Sequence, residues 1–147
     1  MKKISILTVV AFAVSFLLVT ITSNSEAQTQ AKVKETIEAS NNKFVRWFNT
    51  GQIDSILTLY KDDACLVGLG CGKTFISEYF TTEATMCQMK KLNVNEVNVS
   101  GTMAVEKGQW MITSNSGEEL QGEYLAEWVY ADNKWLIQKE VTNVKPQ

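Results

Sequence analysis

The chain has 147 residues, 45% of them hydrophobic, with a formal net charge of −2, no histidine and one proline. So mild an acidic balance, with no basic run longer than Lys90-Lys91 after the N-terminal segment, argues against nucleic acid or an anionic membrane surface as partner. The lack of histidine excludes Ser-His and Cys-His nucleophile systems and, with no Cys-x-x-Cys, the usual zinc patterns.

The N-terminus carries Lys2 and Lys3, then Ile4 to Ile21 with nothing more polar than Ser or Thr, then Ser25-Glu26-Ala27. That is the charged, apolar and small-residue order of a secretory signal cut after Ala27. The competing reading is an uncleaved anchor, since about 20 apolar residues span a bilayer. The expectation is an exported protein, periplasmic or secreted, with 1–27 as signal peptide and 28–147 as one domain. Loss of Lys2, Lys3 and Glu26 takes the net charge from −2 to −3. The remaining 120 residues are enough to bury a core without staples, and no membrane contact is expected after cleavage.

Gln28 to Asn49 reads as an amphipathic helix, with Val33, Ile37, Phe44, Trp47 and Phe48 on one face and Gly51 as its stop. A shorter helix follows from about Asp54 to Tyr60, ended by Asp62-Asp63, with a strand at Ala64–Val67 and a loop at Gly68–Gly72. That loop has neither the spacing nor the Lys-Ser/Thr ending of a phosphate loop. Lys73 to Phe80 reads as a third helix, and Thr81 to Gln88 as a loop with a helical start. Cys65, Cys71 and Cys87 allow one disulfide in an oxidising compartment. Cys65–Cys71 is the chosen pair, because Gly68 and Gly70 let the chain fold back between them. Cys71–Cys87, or three buried thiols, are the alternatives.

The second half is strand. Leu92 to Val99 alternates with a slip at Asn95-Glu96, the mark of a β-bulge. In Met103 to Thr113, Ala104, Glu106, Gly108, Trp110 and Ile112 share one face. Asn98-Val99-Ser100 matches a glycosylation sequon but falls inside a strand. After a polar turn at Ser114–Gly117, Gly122, Tyr124, Ala126, Trp128 and Tyr130 share a face. Ala131–Lys134 is turn chemistry, after which Trp135, Ile137 and Val141 resume the alternation. Helices first and strands later make an α+β domain, about three helices on a strongly curved, mostly antiparallel sheet.

The order of parts resembles the nuclear transport factor 2-like superfamily, in its SnoaL-like and ketosteroid-isomerase-like branch. The matching pieces are Phe44-Val45-Arg46-Trp47-Phe48 with Gly51, Leu59 to Ala64, Gly72-Lys73, Ala104 to Trp110, Gly122 to Leu125 and Lys134 to Ile137. The resemblance implies a cone-shaped barrel with a pocket between helices and sheet, and a twofold homodimer. This fold hosts enzymes, binding modules and assembly domains alike.

Enzymes of this kind use a pocket carboxylate as base, with a Tyr or protonated acid holding the developing oxyanion. The catalytic candidates are Glu106 and Glu140 as bases and Tyr60 and Tyr124 as donors. Glu106 shares a face with apolar residues, and Glu140 lies near the end of the last strand, where solvation is the simpler account. Asp63, Glu123, Glu127, Tyr130 and Arg46 stand behind them; strand pairing, turn formation and a solvated helix side explain these more simply. The expected pocket wall is Trp47, Tyr60, Glu106, Trp110, Tyr124 and Trp128, suited to a small apolar or aromatic molecule. No cofactor or metal is called for. Three functions follow: a small-molecule binder, an isomerase, cyclase or dehydratase, or a dimeric interaction domain built on the outer sheet face.

Overall fold

In the computed structural model, residues 29–145 are described, so the expected signal segment 1–27 lies outside the described residues. Of these, residues 33–145 belong to one compact unit, and the architecture below is that unit's. Helix α1, described over 29–49, stops at Gly51, whose positive φ of 67° lets its amide reach the Phe48 carbonyl at 3.1 Å. The apolar positions Val33, Ile37, Phe44 and Phe48 are all buried, as their helical spacing requires. Trp47 is only partly buried against the core.

Helix α2 is short, Ile53–Leu57. Tyr60 does not end it but opens strand β1, Tyr60–Leu66. Asp62 and Asp63 likewise sit in β1 as exposed strand residues. They are tolerated there because their side chains reach cations at the surface, Asp62 to Lys73 at 2.8 Å and Asp63 to Lys61 at 3.4 Å. A turn at 67–69 leads to β2, Gly70–Cys71, which pairs antiparallel with β1 and sets Cys65 opposite Cys71. Helix α3 runs Lys73–Met86, a turn and a half past the expected end.

Strands β3 (Cys87–Ser100), β4 (Met103–Ser114), β5 (Glu119–Ala131) and β6 (Lys134–Val144) form an antiparallel meander. Strand β1 adds parallel to β6, giving the sheet order β2-β1-β6-β5-β4-β3. The sheet is curved and open, so the cone is not a closed barrel. The β5–β6 turn has Asp132 and Asn133 at φ 51° and 61°, the left-handed pair a two-residue hairpin turn needs.

Three register shifts within the antiparallel meander decide what its strands turn inward. In β3 they fall between Met89 and Lys91 and between Val94 and Glu96, so Met89, Leu92, Val94 and Val97 all face the core. The second is the slip legible at Asn95. The third is in β6: Glu127 pairs with Lys139 but Trp128 with Ile137, leaving Gln138 as the extra residue. One inserted residue reverses every later side chain. Glu140 and Thr142 therefore turn inward, while Val141, expected with Trp135 and Ile137, is turned out and 42% exposed.

Candidate functional site

The inner faces of β4 and β5 interlock by size. Their register pairs Ala104 with Trp128, Glu106 with Ala126, Gly108 with Tyr124 and Trp110 with Gly122. Each large side chain thus lies across from a small one. A methyl at Gly108 would collide with the Tyr124 ring and the Asn93 carbonyl. One at Gly122 would meet the Trp110 indole and the Asn143 carbonyl. Aromatic rings lie flat across the sheet only because these positions are glycine.

The same register sets Glu106, Ala126 and Glu140 side by side on β4, β5 and β6. The two glutamate backbones are two strand spacings apart, about 10 Å, with only a methyl group between them. Above this row lies a cavity of about 330 Å³. Helix α1 contributes Asn41, Phe44 and Phe48 to its wall, and α3 contributes Tyr79, Phe80 and Glu83. The β1–β2 turn adds Val67 and Leu69, and Trp110 of β4 and Thr142 of β6 also line the cavity. Phe80 organises the helical wall, meeting Phe44 edge-on at 5.2 Å and Tyr79 at 5.3 Å.

Glu106 is fully buried, at 0% exposure, and both its oxygens are occupied. Oε1 accepts from Tyr124 Oη and Asn41 Nδ2, each at 2.5 Å, and Oε2 accepts from Trp128 Nε1 at 2.8 Å. Asn41 also donates to Tyr124 Oη at 3.0 Å. Burial pushes the Glu106 carboxyl above its ordinary pKa, and the three donors pull part of the way back. Because an indole N–H can only donate, the arrangement fits Glu106 as an acceptor, a carboxylate held in place.

Glu140 differs. Among the described residues its carboxyl has one donor, Tyr60 Oη, which gives its proton to Oε2 at 2.7 Å. Burial pushes Glu140 up to about 7, opposed by the Tyr60 bond and reinforced by the charge of Glu106. Tyr60 is raised in turn, by burial first and then by Glu140, and Tyr124 is raised by burial and by Glu106.

The fold thus brings Tyr60, Glu106, Trp110, Tyr124 and Glu140 to one cavity. It does not bring Trp47, which packs at the core's edge. Trp128 lies fully buried behind Glu106 and orients that carboxyl rather than lining the wall. Asp63, Arg46 and Tyr130 are exposed, and Glu123 and Glu127 pair on the outer face with Lys145 and Lys139, at 3.3 and 3.6 Å. Cys65 and Cys71 lie cross-strand with their sulfurs joined at 2.06 Å, and Cys87 is a buried free thiol, raised in pKa by burial and by Glu83. Asn98 is exposed and bonds Glu96 at 2.8 Å. Asn41 is the participant the sequence reading passed over. It sits four residues after Ile37 and three before Phe44, a lone amide in the apolar stripe. Among the described residues there is no cluster of three metal-ligating side chains and no helix long and apolar enough to cross a membrane.

A curved, open sheet covered by helices, with carboxylates at the base of the cavity between them, defines an α+β cone protein. Solved structures place it further: the fold is that of the nuclear transport factor 2-like proteins. A protein of unknown function from Mycobacterium tuberculosis superposes with a TM-score of 0.69 at 17% identity, over 80% of this chain and 79% of its own. A ketosteroid isomerase-like protein from Erwinia carotovora atroseptica gives 0.65 at 18%, over 77% and 96%. A nuclear transport factor 2-like protein of unknown function from Shewanella oneidensis gives 0.64 at 14%, over 74% and 97%. No family model and no curated protein matches the sequence.

Proposed function

We propose that this is an exported protein that binds a small, largely apolar or aromatic molecule in its cavity. The observation that carries the reading is the cavity of about 330 Å³ with an aromatic wall and two glutamates at its base, Glu106 buried and Glu140 part-buried. That volume lies at the small end of the roughly 300–1,000 Å³ typical of ligand sites. Residues 1–27 would be removed on export. The test is native mass spectrometry of the protein purified from its own cell envelope, before and after denaturation. A small molecule released only on denaturation supports the reading; a protein that stays empty and is not stabilised by any of a panel of aromatic compounds contradicts it.

A second reading has a specific observation behind it. Glu140, near neutrality in pKa and with an oxygen left for a ligand, has the properties of a general base. Tyr60 Oη, 2.7 Å from it, would hold it in place. This supports an isomerase-, cyclase- or dehydratase-type reaction, for which the isomerase-like neighbour supplies analogy of fold alone. A rate that rises with pH through about 7 and is abolished by Glu140→Gln would establish it; turnover unaffected by Glu140→Gln would remove it. A homodimer through the outer sheet face is proposed alongside, compatible with either reading.

A further inference from the structure

The polar groups of the cavity are unusually one-sided. Its wall carries three carboxyls, Glu83, Glu106 and Glu140, and no lysine or arginine. The donors nearest its base are already engaged. Tyr124 and Asn41 give their protons to Glu106, Tyr60 gives its own to Glu140, and Trp110 Nε1 donates to Thr142 Oγ1 at 2.5 Å. Trp128, behind the wall, is spent on Glu106. An incoming carboxylate or phosphate would meet negative charge with no free partner at the base. A carbonyl oxygen at the base would have to displace one of these bonds or take the proton of a neutral Glu140, and the other hydroxyl in the wall, Tyr79 on α3, is in the field of Glu83 and Glu140. What the cavity leaves unmet is acceptor capacity, chiefly Glu140 Oε1, in a wall that also carries the rings of Phe44, Phe80, Tyr79 and Trp110, a residue class whose faces attract cations.

We propose that the ligand is a cation: an apolar or aromatic body bearing a protonated amine, with the ammonium seated against Glu140 and in the field of Glu106. The proposal rests on the ligand-binding reading above and names the class of molecule. It also accounts for two glutamates packed beside a methyl group with no basic residue in the wall. Alone, they oppose each other's ionisation; with a cation between them, both can be charged. Binding should therefore displace the proton of Glu140. The groups that face Glu140 are Tyr60 on β1, Tyr124 on β5, Glu106 on β4, and Tyr79 and Glu83 on α3. All are neutral or acidic, so none but the ligand can supply the countercharge.

The experiment uses three probes of one shape and different charge, 2-naphthylmethylamine, 2-naphthalenemethanol and 2-naphthoate, titrated calorimetrically into the full mature protein. At pH 8 the amine should bind at least tenfold more tightly than the alcohol, and the naphthoate not measurably. At pH 5.5 that preference should shrink. At pH 6.5, titrations in buffers of different ionisation enthalpy should show protons released on amine binding. Glu140→Gln should bring the amine-to-alcohol ratio toward one and abolish proton release. An amine no tighter than the alcohol, or naphthoate bound as well as the amine, overturns the cation assignment while leaving a ligand site in place. Failure of all three to bind overturns the cation assignment for this body, and with a protein that native mass spectrometry finds empty it overturns both readings.

Discussion

Glu106 and Glu140 occupy one row of the sheet, yet the same substitution at each should act in opposite directions. Glu106 is met by three donors, so Glu106→Gln points an amide N–H at Trp128 or at the Asn41–Tyr124 pair. The expected cost is about 1–3 kcal/mol, the price of a mismatched buried group. Glu140 has one donor, Tyr60, which a glutamine oxygen can still satisfy, and its charge is what burial opposes. A carboxyl held near 7 against an ordinary 4.5 amounts to about 3 kcal/mol at about 1.4 kcal/mol per pH unit. The sign follows from proton counting. Between those values the folded protein keeps a proton that the unfolded chain releases. This stability is complete below about 4.5 and lost as pH rises through about 7. Glu106, also raised, adds in the same direction. Urea denaturation from pH 4 to 8 should therefore show stability falling with pH. Glu140→Gln should be more stable than the parent at pH 8 by up to about 3 kcal/mol and equal to it at pH 4. At this scale the sequence was partly legible. Glu106 could be placed inward because Ala104, Gly108 and Trp110 share its face. Glu140 could not, because the extra residue at Gln138 has none of the glycine or turn chemistry that marks a bulge. Asn41 was visible as a polar step in an apolar stripe. An unpaired amide there reads as an interruption until a buried carboxylate is known to face it.

At the scale of the elements, the interlock of β4 and β5 makes its own prediction. Gly108→Ala sets a methyl against the Tyr124 ring and the backbone oxygen of Asn93. Neither the ring, pinned by Glu106, nor the backbone can yield cheaply. The expected loss is about 1–3 kcal/mol or somewhat more, read as a lower urea midpoint at unchanged slope. Gly117, in an open turn with no neighbour near its missing Cβ but with φ at 87°, provides a comparison in which only backbone strain acts. The β1–β2 hairpin carries a second prediction. A six-residue separation between Cys65 and Cys71 closes a short loop, for which loop entropy gives about 2 kcal/mol. Reduction should remove that much and loosen the Val67–Leu69 turn. The alternation of β4 and β5 was readable from the sequence, because the period of a strand is two. The length of α3 was not. Thr81, Thr82 and Thr85 are poor helix formers, but Thr82 and Thr85 turn their hydroxyls back onto the carbonyls of Glu78 and Thr82, at 3.0 and 2.7 Å. Helix α3 nonetheless continues to Met86 and carries Glu83 to the cavity wall.

For the whole molecule, the sequence conveyed the order of parts because helix and strand periods differ along the chain: helical spacing in α1, α2 and α3, alternation from β3 onward. What it could not convey is which strands adjoin, since the parallel addition of β1 to β6 joins residues far apart in the chain, Tyr60 with Ile137 and Leu66 with Glu140. That addition leaves the outer face of the sheet as the surface still to be explained. Val105, Leu125 and Val141 are there 45%, 46% and 42% exposed, and Lys107, Leu125 and Val141 follow one another across β4, β5 and β6. Around them stand the Glu123–Lys145 and Glu127–Lys139 pairs. An apolar centre with a charged rim is the anatomy of an interface core. In a twofold pair this patch would meet its own copy, so a single substitution acts twice. Leu125→Glu would place two carboxylates against each other across the axis, without touching the cavity on the opposite face. Sedimentation equilibrium should find the parent dimeric at micromolar concentration and Leu125→Glu monomeric, with its probe binding retained. A parent that remains monomeric at every concentration tested would remove the dimer and leave the patch as ordinary surface. A Leu125→Glu variant that stays dimeric at low and high salt alike would move the interface elsewhere, since on this face only a contact through Lys107, beside Leu125, could neutralise the new charge, and salt would weaken it.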